Sequence, residues 1–150
     1  MDIFSVLKEE HEKLRGIFDK IDDTTERAEK TRAHLYRELY RELHSHAVME
    51  EQVLYTRLEQ EESMKYLLAE AKEEHVQGEN MLQELAKMDD TTIEWTGKVT
   101  VLKENTEHHL REEEEEMFVQ AKKILKDGEA EKMAIAFIEG KKELLAKIAK

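Results

Sequence analysis

A chain of 150 residues is long enough for one domain with a sizeable core; with 39% hydrophobic and 40% charged residues, no proline and only five glycines, it favours long amphipathic helices over sheet. The formal net charge of -12 sets the surface against nucleic acid and anionic membrane and suits a protein that attracts cations. The absence of cysteine excludes disulfides, iron–sulfur ligation and thiol redox chemistry.

The first segment, MDIFSVLKEEHEKL, has no basic stretch leading into an apolar core, and no apolar run approaches membrane-spanning length, so the expected location is cytoplasmic. Asp2 or Ser5 can cap a first helix whose apolar residues Ile3, Leu7, Leu14, Phe18 and Ile21 share one face. Asp22-Asp23-Thr24-Thr25 reads as a short loop ending in a cap, and a second helix follows to about Glu61, with Leu35, Leu39, Leu43, Val53 and Leu58 inward. Ser63 is the expected cap of helix three, which carries Leu68, Ala71, Leu82, Leu85 and Met88. Asp89-Asp90-Thr91-Thr92 repeats the earlier loop chemistry, and helix four runs from there to about Lys126, ended by Asp127-Gly128. Glu129 to Lys150 reads as a shorter amphipathic helix. Short links between long helices imply antiparallel neighbours. The expectation is therefore an all-α, up-down-up-down four-helix bundle over about 1–127 with an additional short C-terminal helix over about 129–150, in a single domain.

The chain also repeats itself. Glu9-Glu10-His11 on helix one matches Glu73-Glu74-His75 on helix three; His46-x3-Glu50-Glu51 on helix two matches His109-x3-Glu113-Glu114 on helix four. His11 precedes His46 by 35 positions and His75 precedes His109 by 34, and Tyr55 and Phe118 each follow their histidine by nine. Residues four apart on a helix stand one above the other, so His46 with Glu50, and His109 with Glu113, can each converge on one point. The inward series Leu39, Leu43, His46, Glu50 and Trp95, Val99, Leu102, Thr106, His109, Glu113 advance in steps of three and four, which puts both pairs on the core-facing stripe. His11 continues Ile3 and Leu7 at four-residue spacing, and His75 follows Ala71 by four, with Gly78 leaving room beside it.

Taken singly, each of these residues has a plainer reading as a hydrogen-bonded core histidine or a solvated glutamate. Six such groups in a duplicated inward pattern are costly to bury unless a cation pairs them. A dinuclear metal centre held by His11, His46, Glu50, His75, His109 and Glu113 removes that cost, since each carboxylate can bridge two ions. Imidazole and carboxylate donors without thiolate suit iron or manganese, with zinc as a substitute. Glu79, four residues after His75, is an additional candidate ligand. Glu51, Glu112 and Glu114 lie off the stripe and fit supporting or surface positions, while His34, His44 and His108 are expected to face solvent.

Glu10-His11, His46-x3-Glu50-Glu51, Glu74-His75 and His109-x3-Glu113-Glu114 together resemble the hemerythrin-like, HHE cation-binding family over about residues 1–125. The resemblance implies a four-helix bundle with a carboxylate-bridged non-haem di-iron site that binds dioxygen or a related small molecule such as nitric oxide or peroxide. The oxygen carriers of that family have a second histidine one turn after the first on helix three, where this chain has Glu79. The four-histidine, two-glutamate set is more similar to members linked to iron sensing, nitric oxide chemistry or iron-centre repair. Three readings follow: a di-iron protein that binds or reduces a diatomic or peroxide, an iron sensor or buffer whose C-terminal helix contacts a protein partner or a second copy, and a metal-free structural bundle.

Overall fold

The structure, a computed structural model, describes residues 1–148. Helix α1 spans Ile3–Asp22 and is capped by Asp2, whose carboxylate accepts the Ser5 N–H at 2.9 Å. Its buried stripe is the predicted one, with His11 inside it. Helix α2 spans Glu29–Glu50 and continues through a π-helical turn, Glu51–Tyr55, into Thr56–Leu58. Helix α3 is Lys65–Ala86; α4 is Ile93–Glu112, extended by a second π-helical turn, Glu113–Met117, and by Phe118–Ile124; α5 is Glu129–Lys147. The final two residues of the predicted terminal helix, 149 and 150, lie outside the described residues.

Three expectations about helix ends are corrected. Thr24 and Thr25 do not cap α2, which begins after Ala28 without a side-chain cap. Thr24 instead donates to the Ile21 carbonyl and accepts from Arg32 Nε at 2.9 Å. Ser63 does not cap α3: a single 3-10 turn, Glu62–Met64, leads into it, and fully buried Met64 anchors the entry by packing in the core. Helix four stops at Ile124 rather than Lys126, because Leu125 is extended and Gly128 turns the chain at φ 87°, a backbone region that favours glycine. At α4 the repeated loop behaves as read, with Thr92 accepting the Trp95 N–H.

Arg32 is the residue that joins the two loops. It is 2% exposed, lies over the Trp95 ring at 4.9 Å and donates to the Asp90 carbonyl at 2.7 Å, so its buried charge is met by Thr24, Asp90 and an aromatic face.

Helices α1 and α4 run in opposite directions, since Lys103 pairs with Asp19 while the later Glu114 meets the earlier His11. Helix α2 pairs with α1 and α3 with α4, closing the up-down-up-down bundle, and α5 lies against α1 and α2. Phe137 and Ala134 of α5 are buried in the bundle, and Arg41 of α2 donates to the Leu145 and Ile148 carbonyls near the end of α5. The core falls into two apolar parts. One gathers around Ile3, Leu7, Leu54, Tyr55, Leu68 and Phe118; the other around Leu14, Phe18, Leu39, Leu82, Trp95 and Leu102. A polar layer separates them. Among the described residues no helix is long and apolar enough to cross a membrane.

Candidate metal centre

The polar layer is made of the six residues singled out by the repeat. His11 comes from α1, His46 and Glu50 from α2, His75 from α3, and His109 and Glu113 from α4 and the start of its π turn. Their donor atoms form two groups, each lying within 4.8 Å: His11, His46, Glu50 and Glu113; and His75, His109, Glu50 and Glu113. The two groups share both carboxylates. His11 Nε2 and His109 Nε2 stand 3.3 and 3.5 Å from Glu113 Oε1, and His75 Nε2 stands 3.3 Å from Glu50 Oε1.

Each histidine is held from behind by another glutamate. Glu114 meets His11 Nδ1 at 2.7 Å, Glu10 meets His46 Nδ1 at 3.0 Å, Glu51 meets His75 Nδ1 at 2.7 Å and Glu74 meets His109 Nδ1 at 2.5 Å. The pattern keeps the duplication: the glutamate before each first histidine supports the second histidine of its own half, and the glutamate after each inner carboxylate supports the first histidine of the other half. A carboxylate only accepts, so the proton sits on Nδ1 and the Nε2 lone pair of a neutral ring points inward. Sequence reading had Glu51 and Glu114 as supporting or surface residues without saying what they support; the Glu-His pairs were visible only as motif letters, because helix register alone does not say which neighbour a glutamate reaches.

Without a cation this arrangement is electrostatically incomplete. His11 Nε2, His46 Nε2, Glu50 Oε2 and Glu113 Oε1 are buried without a hydrogen-bond partner, and the Nε2 atoms of His75 and His109 face each other at 3.0 Å. Two neutral imidazoles oriented by Glu51 and Glu74 would oppose lone pairs across that gap. Either protons or metal ions must fill the role. The donor set, four nitrogens and two carboxylates, fits a pair of divalent ions with nitrogen and oxygen preference. Burial by itself would lower the His11 and His75 pKa values, but the facing carboxylates of Glu113 and Glu114, and of Glu50 and Glu51, prevail and raise both to about 9. His109 is raised in the same way, against burial, by Glu113, Glu50 and Glu74. Burial would raise the Glu50 carboxyl, and the surrounding histidines hold it well below the usual range.

Tyr55 is the site residue that sequence reading missed. Its hydroxyl lies 2.6 Å from Glu113 Oε2 and 3.1 Å from Glu50 Oε1, and its ring stacks on His75 with centroids 5.5 Å apart. An α-helix superposes residues four apart, which would carry Tyr55 away from Glu50; the π turn inserts one extra residue and brings position i+5 over i. The Thr56 N–H accordingly bonds to the Glu51 carbonyl, and the Phe118 N–H to the Glu113 carbonyl. The same insertion explains why Leu54 is fully buried, while Val53, expected inward, packs half-buried against the same part of the core. Phe118 takes the equivalent place in the other half, stacked on His11. Tyr55→Phe is expected to remove the hydroxyl donor to the two carboxylates and to lower the stability of the metal-free protein by about 1.5–3 kcal/mol. Urea denaturation checks this, and an unchanged midpoint would show that the hydroxyl contributes nothing.

Glu79, the additional candidate, is outside both groups: it is turned outward, with its carboxylate 3.0 Å from His44 Nδ1 and its other oxygen bonded to Gln83. His44, expected in solvent, is therefore half-buried, stacked on Tyr40 with centroids 5.2 Å apart. His34 and His108 are exposed as expected. Glu112 reaches His108 at the surface, where these two and Glu74 form an outer cluster. A cavity of about 220 Å³ opens beside the centre, bounded by His46, His75, His109, Gly78, Leu102 and Thr106 among others.

No curated protein and no solved structure matches the chain. The family model of the hemerythrin HHE cation binding domain matches residues 2–121, which takes in all four main bundle helices and every residue of the polar layer. With that match, and with a buried histidine and glutamate cluster able to hold metal at the middle of a helical bundle, the chain belongs to the hemerythrin HHE cation-binding family.

Proposed function

We propose that this protein holds two iron ions between His11, His46, Glu50, His75, His109 and Glu113 and presents them to dioxygen or a related small molecule, nitric oxide or peroxide. The observation that carries the reading is the pair of four-residue groups sharing Glu50 and Glu113, with unpartnered buried atoms aimed into them. Manganese or zinc satisfies the same donors. Iron(II) held by these residues would supply electrons to a bound diatomic or peroxide.

The chain's own residues do the rest. Glu10, Glu51, Glu74 and Glu114 fix each ring's orientation from behind. Leu102 and Thr106, both nine-tenths or more buried, with half-buried Leu43, line the cavity and limit water there. Glu79 stands at the cavity edge with its carboxylate engaged by His44 and Gln83, and a swing of the side chain away from them would let it hand a proton inward from solvent. Replacing it with alanine should slow oxidation of the reduced protein; unchanged kinetics would remove it from that role.

The test of the whole reading is metal content with the absorption spectrum before and after anaerobic reduction and exposure to oxygen. Two irons per chain, with charge-transfer bands that bleach on reduction, are expected. A protein that folds without stoichiometric metal and stays colourless when iron is supplied would overturn it. An iron-sensing or buffering role is the second reading, favoured by one contact: Lys141 of α5 bonds Glu10, which supports His46, so the terminal helix touches the supports of the centre. Thermal stability indifferent to metal removal would count against that role.

A further inference from the structure

Helix α5 docks on the bundle with one face and leaves a second apolar stripe uncovered. Phe137 and Ala134 are buried against the bundle, and half-buried Met133 and Leu144 pack on the same part of the core. Successive helical residues turn by about 100°, so Ile135 lies nearly opposite Phe137 and Ile138 about a quarter-turn from it. These two isoleucines stay 60% and 53% exposed. Among the described residues no other two large exposed apolar side chains stand within one turn of each other on a helix. A lone exposed isoleucine needs no explanation, but two adjacent ones on an otherwise charged face do.

We propose that this stripe is a contact between two copies of the chain, whose α5 helices pair antiparallel about a two-fold axis. The charges around the isoleucines choose the partner. Glu131, Ile135, Ile138 and Lys142 follow one another at steps of four, three and four, which makes them one straight stripe. The midpoint between Ile135 and Ile138 is also the midpoint between Glu131 and Lys142. An antiparallel two-fold through that point sets each Ile135 against Ile138 of the second copy, and each Glu131 against its Lys142. On the flank of the stripe away from the bundle, Lys132 and Glu139 are centred within one residue of the same point, so they also meet across the pair. All four charged residues are exposed, and the ion pairs of α5 among the described residues are made by Glu129 and Lys141 instead.

The face is therefore complementary to itself in one orientation. A parallel pair would place Glu131 on Glu131 and Lys142 on Lys142, and like charges directly opposed reject it. Each copy carries a formal net charge of -12, so general repulsion opposes association. The isoleucines supply the attraction and the ion pairs fix the register. Pairing here leaves the metal centre reachable, because the cavity beside it is lined from α2, α3 and α4 and by no residue of α5.

The test is sedimentation equilibrium of the full-length protein from about 1 µM to about 1 mM, since one helix on one helix lies at the weak end of protein interfaces. A monomer–dimer equilibrium is expected. Ile138→Glu alters both copies at once and should weaken it by roughly a hundredfold or more. Glu131→Lys and Lys142→Glu should each weaken it roughly tenfold at low salt. The chain carrying both reversals should regain the native affinity, because the pair is restored in swapped form. The altered positions are exposed, so circular dichroism should show the variants folded like the native chain. A native protein that stays monomeric throughout this range would overturn the pairing. Flotation of that monomer with vesicles of equal phosphatidylcholine and phosphatidylglycerol would give the stripe to a lipid surface instead. A dimer untouched by Ile138→Glu would put the contact elsewhere and overturn it too. Loss with Ile138→Glu but no recovery in the doubly reversed chain would overturn the antiparallel register, and with it the choice of a second α5.

Discussion

On the proposed two-ion centre, Glu50→Gln is expected to lose both ions at once, although it alters a single oxygen-bearing group. Glu50 belongs to both four-residue groups, and its carboxylate is completely buried between histidines of opposite halves. The amide keeps the shape and can still meet Tyr55, but it carries no charge with which to bridge two cations. Structural metal sites of four ligands are worth on the order of 10–16 kcal/mol, or roughly 3 kcal/mol per ligand, so removing a shared one should weaken each position by roughly a hundredfold. His11→Ala, which belongs to one group only, should directly weaken one position and spare the other. Metal titration followed by elemental analysis distinguishes the two. Retention of both ions by the Glu50→Gln protein would remove Glu50 from its bridging place.

Metal removal is expected to leave a protein whose stability falls as pH rises from 6 to 9. In the metal-free protein His11 and His75 hold protons up to about 9, against an ordinary value of 6.5, because buried carboxylates face them. Between those values the folded chain binds more protons than the unfolded one. The stability these groups contribute is therefore fully present below about pH 6.5 and is lost as pH rises through about 9. Metal acts with the opposite sign, since it needs deprotonated rings, so its contribution grows across the same interval. Calorimetry from pH 6 to 9 should show the metal-free Tm falling while the gap to the loaded protein widens. At free metal a hundredfold above Kd, one site adds about 2.7 kcal/mol, which for a domain of this size is about 5–10 °C. A metal-free Tm that stays level through this range would show that the histidines are not held charged by the glutamates.

Much of this protein was readable before any coordinates. Helical periodicity located the buried stripes of α1, α3 and α4 because burial of one face every three or four residues is a local property of the chain. The same spacing, repeated in two halves, named the six inward polar residues, since an apolar stripe interrupted by histidine and glutamate at i and i+4 has few other meanings. What stayed hidden depended on neighbours distant in sequence or on helix geometry that propensity does not encode. Ser63 was expected to cap α3, but burial of Met64 decided the entry to the helix instead. The π turns after Glu50 and Glu113 are invisible to a 3.6-residue count, which puts Val53 inward but shows neither the full burial of Leu54 nor the place of Tyr55 beside the carboxylates.

Glu79 shows the same division most directly. Its spacing from His75 was right for a ligand, yet a carboxylate four residues on can swing either way, and His44 on the adjacent helix draws it outward. The sequence by itself determined the helices, their order and the identity of the inward polar residues, because these follow from period and from the cost of burying charge. Only the tertiary structure decided which glutamate holds which histidine, that a tyrosine meets both shared carboxylates, and that α5 packs against α1 and α2 with Phe137 beside His46. Those outcomes depend on which side chains opposing helices bring within about 3 Å, the reach of a hydrogen bond, and no spacing along one helix contains that distance.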